Sequence, residues 1–357
     1  MRTTPLHDHH RQLGAKLAEF AGWLMPIQYP AGILAEHRHC RELAALFDIC
    51  HMGEFQVRGP GAAAALDALL PRRASTQKPG ACRYNFLLDS RGGTLDDLVV
   101  YRLAAEEFML VVNAGTADAD AAFLRERLPA GVEFRDLRNE LGKLDLQGPE
   151  SFRVLAACGV PETAIPPYFH WTLLPLFGME VLLSRTGYTG ERGVELYLPR
   201  QRVAECWERL LAQPQVKPVG LGARDTLRLE MGYPLYGHEL DPETTPVEAG
   251  FATLLEPARA ATLRTPQKRL AGFRLEGRRA ARAGAPVRNP QTGEPCGIVT
   301  SGAFSPSLGR AVALGYVHGG EAPAPGSIFL LGEGAAPLPA TVVELPFWRQ
   351  GTARAQS

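Results

Sequence analysis

The amino-acid sequence predicts an α+β fold, a body of mixed antiparallel sheets and helices that ends in a C-terminal all-β barrel. Up to about residue 262, stretches with helical spacing of apolar residues alternate with short β-rich runs. Beyond it the helical spacing vanishes, and short strands alternate with Gly/Pro turns. The two regimes meet in residues 256-266, which are polar, Pro-punctuated and weakly periodic. The predicted division is a body of two interleaved α+β lobes over residues 1-262 and a barrel over 263-350.

In the body, Ile33, Leu34, Cys40, Leu43, Leu46 and Phe47 can share one broad face, which predicts a helix over 33-47. Further helices are predicted over 61-70, 117-127, 150-158 and 201-212, and one over 220-232 with a C-terminal glycine stop. Strands are predicted at 54-57, 84-88, 98-101 and 108-112. Residues 89-93 form a hairpin turn, because Gly92 and Gly93 tolerate positive φ. The barrel strands fall at 271-275, 297-301, 311-317, 327-331 and 340-345.

Composition narrows the function. The chain has 357 residues, long enough for two to three domains, and its 38 Lys+Arg balance 38 Asp+Glu. That zero balance removes the sequence-independent attraction on which nucleic-acid binders draw. No run approaches the roughly 20 apolar residues of a membrane span. Cys40, Cys50, Cys82, Cys158, Cys206 and Cys296 are scattered with no C-x-x-C pair, so reduced structural cysteines are expected. The first residues lack the apolar stretch of a secretory signal, and a cytoplasmic location is the expectation.

His37 and His39, with His7, His9 and His10, suggest a metal site, but positions i and i+2 of a helix point to different sides. A solvated helix face is the expectation for them, with no metal. G-x-S-x-G, P-loop and H-E-x-x-H motifs are absent.

Three polar constellations in apolar surroundings remain. In residues 92-101, Asp96 and Asp97 lead into a strand. Alternation puts them on opposite faces, so they form no proton-sharing dyad, and at most one looks into a given site. In residues 184-197 a Gly-rich turn joins two strands, and Glu195 alternates with Val194 and Leu196 and shares a face with Tyr197. A carboxylate there faces solvent or lines a pocket, where a pteridine or guanine edge, an amino group beside a ring N–H, would satisfy both oxygens. In residues 220-232, Arg224 and Arg228 lie one turn apart and either grip an anion or pair with Asp225 and Glu230 on the surface.

The order and wording of these motifs resemble the T-protein of the glycine cleavage system, an aminomethyltransferase, over nearly the whole chain. The resemblance is carried by Phe20-Ala21-Gly22-Trp23, Leu46-Phe47-Asp48 with His51-Met52-Gly53, residues 92-101, Leu146-Gln147-Gly148-Pro149, residues 185-195, residues 220-237, residues 245-250, and Phe304-Ser305-Pro306-Ser307. It implies a three-lobed, cloverleaf-like body that binds tetrahydrofolate as co-substrate and needs no metal. The lipoylated H-protein is the implied partner, with no nucleic acid and no membrane. Carried over residue by residue, Asp97 is the catalytic carboxylate, Glu195 reads the pteridine, and Arg224 is a conformational or ligand-facing arginine. Asn113, Met52, Tyr84, Tyr188 and Tyr236 line the pocket. Cys50 stands where the family often has Ser, residues 255-271 lack the family's Asp-Phe-Ile-Gly helix, and the tail around Arg354 does not align with the family's terminal folate contact. Two alternatives stay open: a folate-dependent demethylase of the same superfamily, and a folate-binding iron-sulfur assembly factor, whose Lys-Gly-Cys-Tyr segment is absent here.

Overall fold

The computed structural model describes residues 1-333 and 337-354. The chain forms two compact units, one of residues 1-85 and 97-224 with the C-terminal residues from Gly351, the other of residues 86-96 and 225-350. The architecture is mixed helix and sheet, and the strands from Lys268 to Val343 close a six-stranded antiparallel barrel.

A six-stranded sheet organises the first unit. Its order is Trp171–Leu176, Met179–Ser184, Gly193–Pro199, Leu141–Gln147, Ala44–Asp48 and Val216–Pro218, antiparallel except for the last pair. Val194, Leu196 and Leu198 point from one face of the Gly193–Pro199 strand into a core that Leu144, Leu146, Phe152 and Trp207 share. The amphipathic helix Val203–Leu211 covers this face, burying Val203, Cys206, Trp207 and Leu210. A second sheet runs Cys82–Leu88, Thr94–Ala104, Glu107–Val112, Gly53–Arg58 and Glu133–Asp136.

The predicted helices at 61-70, 117-127, 150-158 and 201-212 appear as Ala62–Leu69, Ala117–Arg127, Ser151–Ala157 and Val203–Leu211. The helix predicted over 33-47 stops at Glu42, and the chain continues as the strand Ala44–Asp48. All five residues of that strand are buried, so it has no polar face for a surface helix, and its apolar run serves a strand covered on both sides. Pro286–Arg288, a barrel strand of three residues, is too short to leave a pattern.

The expectation of a solvated histidine face is overturned. His37 and His10 are wholly buried, and His39 lies with Nε2 3.0 Å from the carbonyls of both Ala44 and Gln215. The helix packs on the sheet, so polar side chains on its inner side meet backbone and carboxylate partners; Glu36 accepts from the Tyr29 and Gly220 amides. All six cysteines are free.

The turn at 89-93 forms as a hairpin, with Gly92 at φ +82° and Asp89 Oδ1 accepting from the amides of Arg91 and Gly93. A Cβ on Gly93 would lie 1.8 Å from the carbonyl oxygen of Pro242, backbone that cannot swing aside. Gly93→Ala is therefore expected to destabilise the protein by about 2-3 kcal/mol. Denaturant melts of the two proteins measure this, and a loss under about 0.5 kcal/mol would show that the Pro242 segment yields freely.

Candidate active site

The second sheet turns one face toward the site. Along Thr94–Ala104, alternation puts Asp97, Val99 and Tyr101 on the same side, and register adds Val111 opposite Val99 and Glu54 opposite Val111. Asp97 is half-buried. Tyr84 donates its hydroxyl to Asp97 Oδ2 at 2.9 Å, and the Asn113 amide donates to Asp97 Oδ1 at 2.9 Å. Three residues proposed from sequence for one pocket thus meet in one cluster. Asp96 points the other way and is fully buried, and the carboxylate that caps the 89-93 turn is Asp89.

Four residues along the strand, about 13 Å, Tyr101 donates its hydroxyl to Glu195 Oε2 at 3.2 Å. Glu195 is buried on the face opposite Val194 and Leu196. Its Oε2 also accepts from the hydroxyls of Thr186 at 2.8 Å and Tyr197 at 3.3 Å, and lies 3.4 Å from Lys143 Nζ. A ligand edge was expected to take both oxygens. Four donors already converge on Oε2, so Oε1 is the oxygen without a hydrogen bond among the described residues. Burial alone would push this carboxyl up, but Lys143, the Thr186 hydroxyl and Arg224 outweigh it and hold Glu195 below its usual range.

Asp145 sits directly across from Glu195 in the antiparallel pairing and is itself fully buried. Its Oδ2 accepts from Arg224 at 2.6 Å, while its Oδ1 has no partner among the described residues. Burial pushes Asp145 up, partly opposed by Arg224. The Arg224 guanidinium lies 4.9 Å from the ring of Tyr188 and 5.9 Å from that of Phe47. Met52 approaches Lys143 Nζ through its sulfur at 3.7 Å. Tyr236 belongs to the other unit, where its hydroxyl donates to the Thr94 carbonyl.

Arg224 and Arg228 do not act on one anion. Arg228 is buried and donates to Asp225, Glu239 and the Ser301 hydroxyl, and Glu230 accepts from Ser305 and Ser307 inside the protein, not at the surface. Cys50, in place of the family's usual Ser, is buried with Sγ 3.3 Å from both the amide and the carbonyl of Lys143, a structural role. Arg354 lies 5.9 Å from the ring of Tyr168.

Sequence reasoning missed Glu54, Tyr101, Lys143, Asp145 and Tyr197. One signal was present: Lys143, Asp145 and Gln147 alternate with Leu144 and Leu146. Glu54 is strongly perturbed. It is 2% exposed, its Oε1 has no partner among the described residues, and burial pushes its carboxyl up to about 8, with the charge of Lys143 opposing.

The family model described as the GCVT N-terminal domain matches residues 6–258, and that of the glycine cleavage T-protein C-terminal barrel domain matches residues 268–348. The chain is 42% identical to an aminomethyltransferase of Synechococcus elongatus, covering 97% of this chain and 96% of that protein. It is 44% identical to an aminomethyltransferase of Rubrobacter xylanophilus, covering 98% and 95%. The crystal structure of the glycine cleavage system aminomethyltransferase T from Bartonella henselae superposes with a TM-score of 0.92 at 37% identity, over 98% of this chain and 99% of that one.

The state of Glu54 sets a pH dependence. Its folded-state pKa of about 8 lies above its ordinary 4.5, so unfolding releases a proton between these values and this group costs increasing stability as pH rises from 4.5 to 8. Glu54→Gln carries no such penalty, so its stability relative to the unmodified protein should rise by about 1-3 kcal/mol from pH 5 to pH 8. Chemical denaturation at both pH values measures it; a relative stability of Glu54→Gln that stays constant or falls from pH 5 to pH 8 would show that Glu54 is ionised in the folded protein.

Proposed function

Given that this chain belongs to the glycine cleavage T-protein family and is an aminomethyltransferase, we propose that it transfers the methylene carbon of an aminomethyl group from the lipoyl arm of the H-protein to tetrahydrofolate. Ammonia and 5,10-methylenetetrahydrofolate are the products. The demethylase and iron-sulfur assembly alternatives are not favoured, since full-length relatives and both family models agree on the T-protein. The reading keeps residues 1-262 as the folate-binding body and 263-350 as the barrel. Among the described residues no group of His, Cys, Asp and Glu could hold a metal ion, and no helix is long and apolar enough to cross a membrane.

One observation carries the assignment of roles: Asp97, held by Tyr84 and Asn113, shares a strand face with Tyr101, which donates to Glu195. A ligand longer than one ring can then be read at Glu195 and meet Asp97 at its reacting nitrogens. The residues around Glu195 fit such a ligand. Glu195 offers Oε1 to a ring N–H or amino group, and Arg224, Tyr188 and Met52 stand around the same polar face.

The donors to Asp97 explain its proposed part. Tyr84 and Asn113 are neutral donors, and between them they orient both carboxylate oxygens. Each oxygen keeps acceptor capacity. Asp97 can therefore stabilise the positive charge that develops on the transferred carbon and take the proton of the attacking nitrogen.

The test mixes the purified protein with tetrahydrofolate and aminomethyl-loaded H-protein and measures ammonia. Asp97→Asn should lower turnover by about 10²-10⁴-fold while folate affinity changes far less. Asp96→Asn acts through a buried position off the site, so its loss should track folding, not turnover of the folded fraction. Equal turnover losses for both folded variants would remove Asp97 from the catalytic role. Glu195→Gln should weaken folate binding by about 1-3 kcal/mol, the worth of a charged hydrogen bond. Unchanged affinity in a titration would sink that assignment.

A further inference from the structure

Lys143 lies in the middle of a strand whose neighbours Leu144 and Leu146 are core, and its side chain is 2% exposed. The fold alone gives no reason for a charge there. Replacing a buried ion pair by apolar side chains of similar volume is often neutral or stabilising, and a straight aliphatic chain would fill the space between Met52 and the Tyr197 ring, whose centre is 5.0 Å from Lys143 Nζ.

What Lys143 touches is Glu195. Of the four donors on Oε2, Tyr101, Thr186 and Tyr197 are neutral hydroxyls and Lys143 is the cation. The other cation nearby, Arg224, is committed to Asp145. The charge of Glu195 in turn pushes up Asp145, across the strand, and Glu54, on the second sheet, so the carboxylate that stays ionised is the one beside Lys143. Cys82, Tyr101 and Tyr197 are kept protonated by burial and bring no charge.

We propose that Lys143 is a positioning residue of the ligand site: its ammonium holds Glu195 as an ionised, acceptor-only carboxylate with Oε2 engaged and Oε1 left for the ligand. The inference rests on Glu195 as the folate-reading acid. A protonated Glu195 would present a hydroxyl toward a ligand edge that is itself a donor, and binding would fail. Removing the cation therefore acts on folate through the protonation of Glu195 and leaves the shape of the pocket in place.

The experiment titrates 5-formyltetrahydrofolate, a stable folate, into the full-length protein, Lys143→Met, Glu195→Gln and the double variant between pH 5.5 and 8.5. Lys143→Met should match the unmodified protein most closely at pH 8.5 and fall behind it by about tenfold or more at pH 5.5, as Glu195 takes up a proton. The double variant should bind like Glu195→Gln within about threefold at every pH, because Lys143 has then lost the group through which it acts. Parallel pH profiles for Lys143→Met and the unmodified protein overturn the proposal. So does a double variant more than about tenfold weaker than Glu195→Gln, which would make Lys143 a direct ligand contact. Should Lys143→Met not fold, the double variant, which removes both charges, decides alone by the same comparison. An unmodified protein that binds no folate overturns the folate reading itself, a result distinct from either of these.

Discussion

Two carboxylates, Asp145 and Glu195, stand directly opposite each other on adjacent antiparallel strands, and both are buried. Side chains in that relation have Cβ atoms about 5 Å apart, and like charges there repel unless each is matched. Much of the first unit answers to this pair. Arg224, at the end of the unit's 97-224 segment, reaches Asp145, and Lys143, two residues before Asp145 on the same strand, reaches Glu195. The helix Leu221–Glu230 is thus anchored at its start by an ion pair to the middle of the sheet, with the Tyr188 and Phe47 rings beside the guanidinium.

The charged face works because its reverse is apolar. Val194, Leu196 and Leu198 alternate with Glu195 and Tyr197, and Leu144 and Leu146 with Lys143, Asp145 and Gln147, so both central strands carry core on one side and polar groups on the other. A one-residue slip would exchange the two sets and bury the charges in the main core. The register that protects the core therefore also keeps Glu195 on the polar face beside Tyr197 and Lys143. Packing and the proposed ligand recognition depend on the same pairing.

The sequence made some of this legible and hid the rest for a physical reason. Alternation around Glu195 and the adjacent glycines of the 89-93 hairpin are local features, readable in any chain, and the helices with a polar side were found within a few residues. Ala44–Asp48 was merged into the preceding helix because a strand buried on both faces shows no period of two. Lys143 and Asp145 escaped for a different reason. Their importance lies in what stands across the sheet, and a partner some 50 residues away, Glu195 for Asp145, leaves no trace in local spacing. Tyr84, Asn113 and Asp97 were named through the resemblance, not through spacing, yet they meet within hydrogen-bonding distance in the fold.

The surroundings of Asp97 and Glu195 differ in a way that suits the two tasks proposed for them. Glu195 must be an acceptor before any ligand arrives, so a permanent cation beside it is an advantage. Lys143 lowers the cost of keeping it ionised in a buried place, and the hydroxyls of Tyr101, Thr186 and Tyr197 fix its orientation. A carboxylate that is to meet positive charge in a transition state has the opposite need. A cation in contact with it would spend its field in the ground state, where it accelerates nothing. Tyr84 and Asn113 orient Asp97 through neutral dipoles, and its half-buried position leaves it reachable by a reacting group. Exchanging the two sets of donors would leave Glu195 prone to protonation and Asp97 already neutralised, so each carboxylate depends on the partners of its own strand neighbourhood for its role.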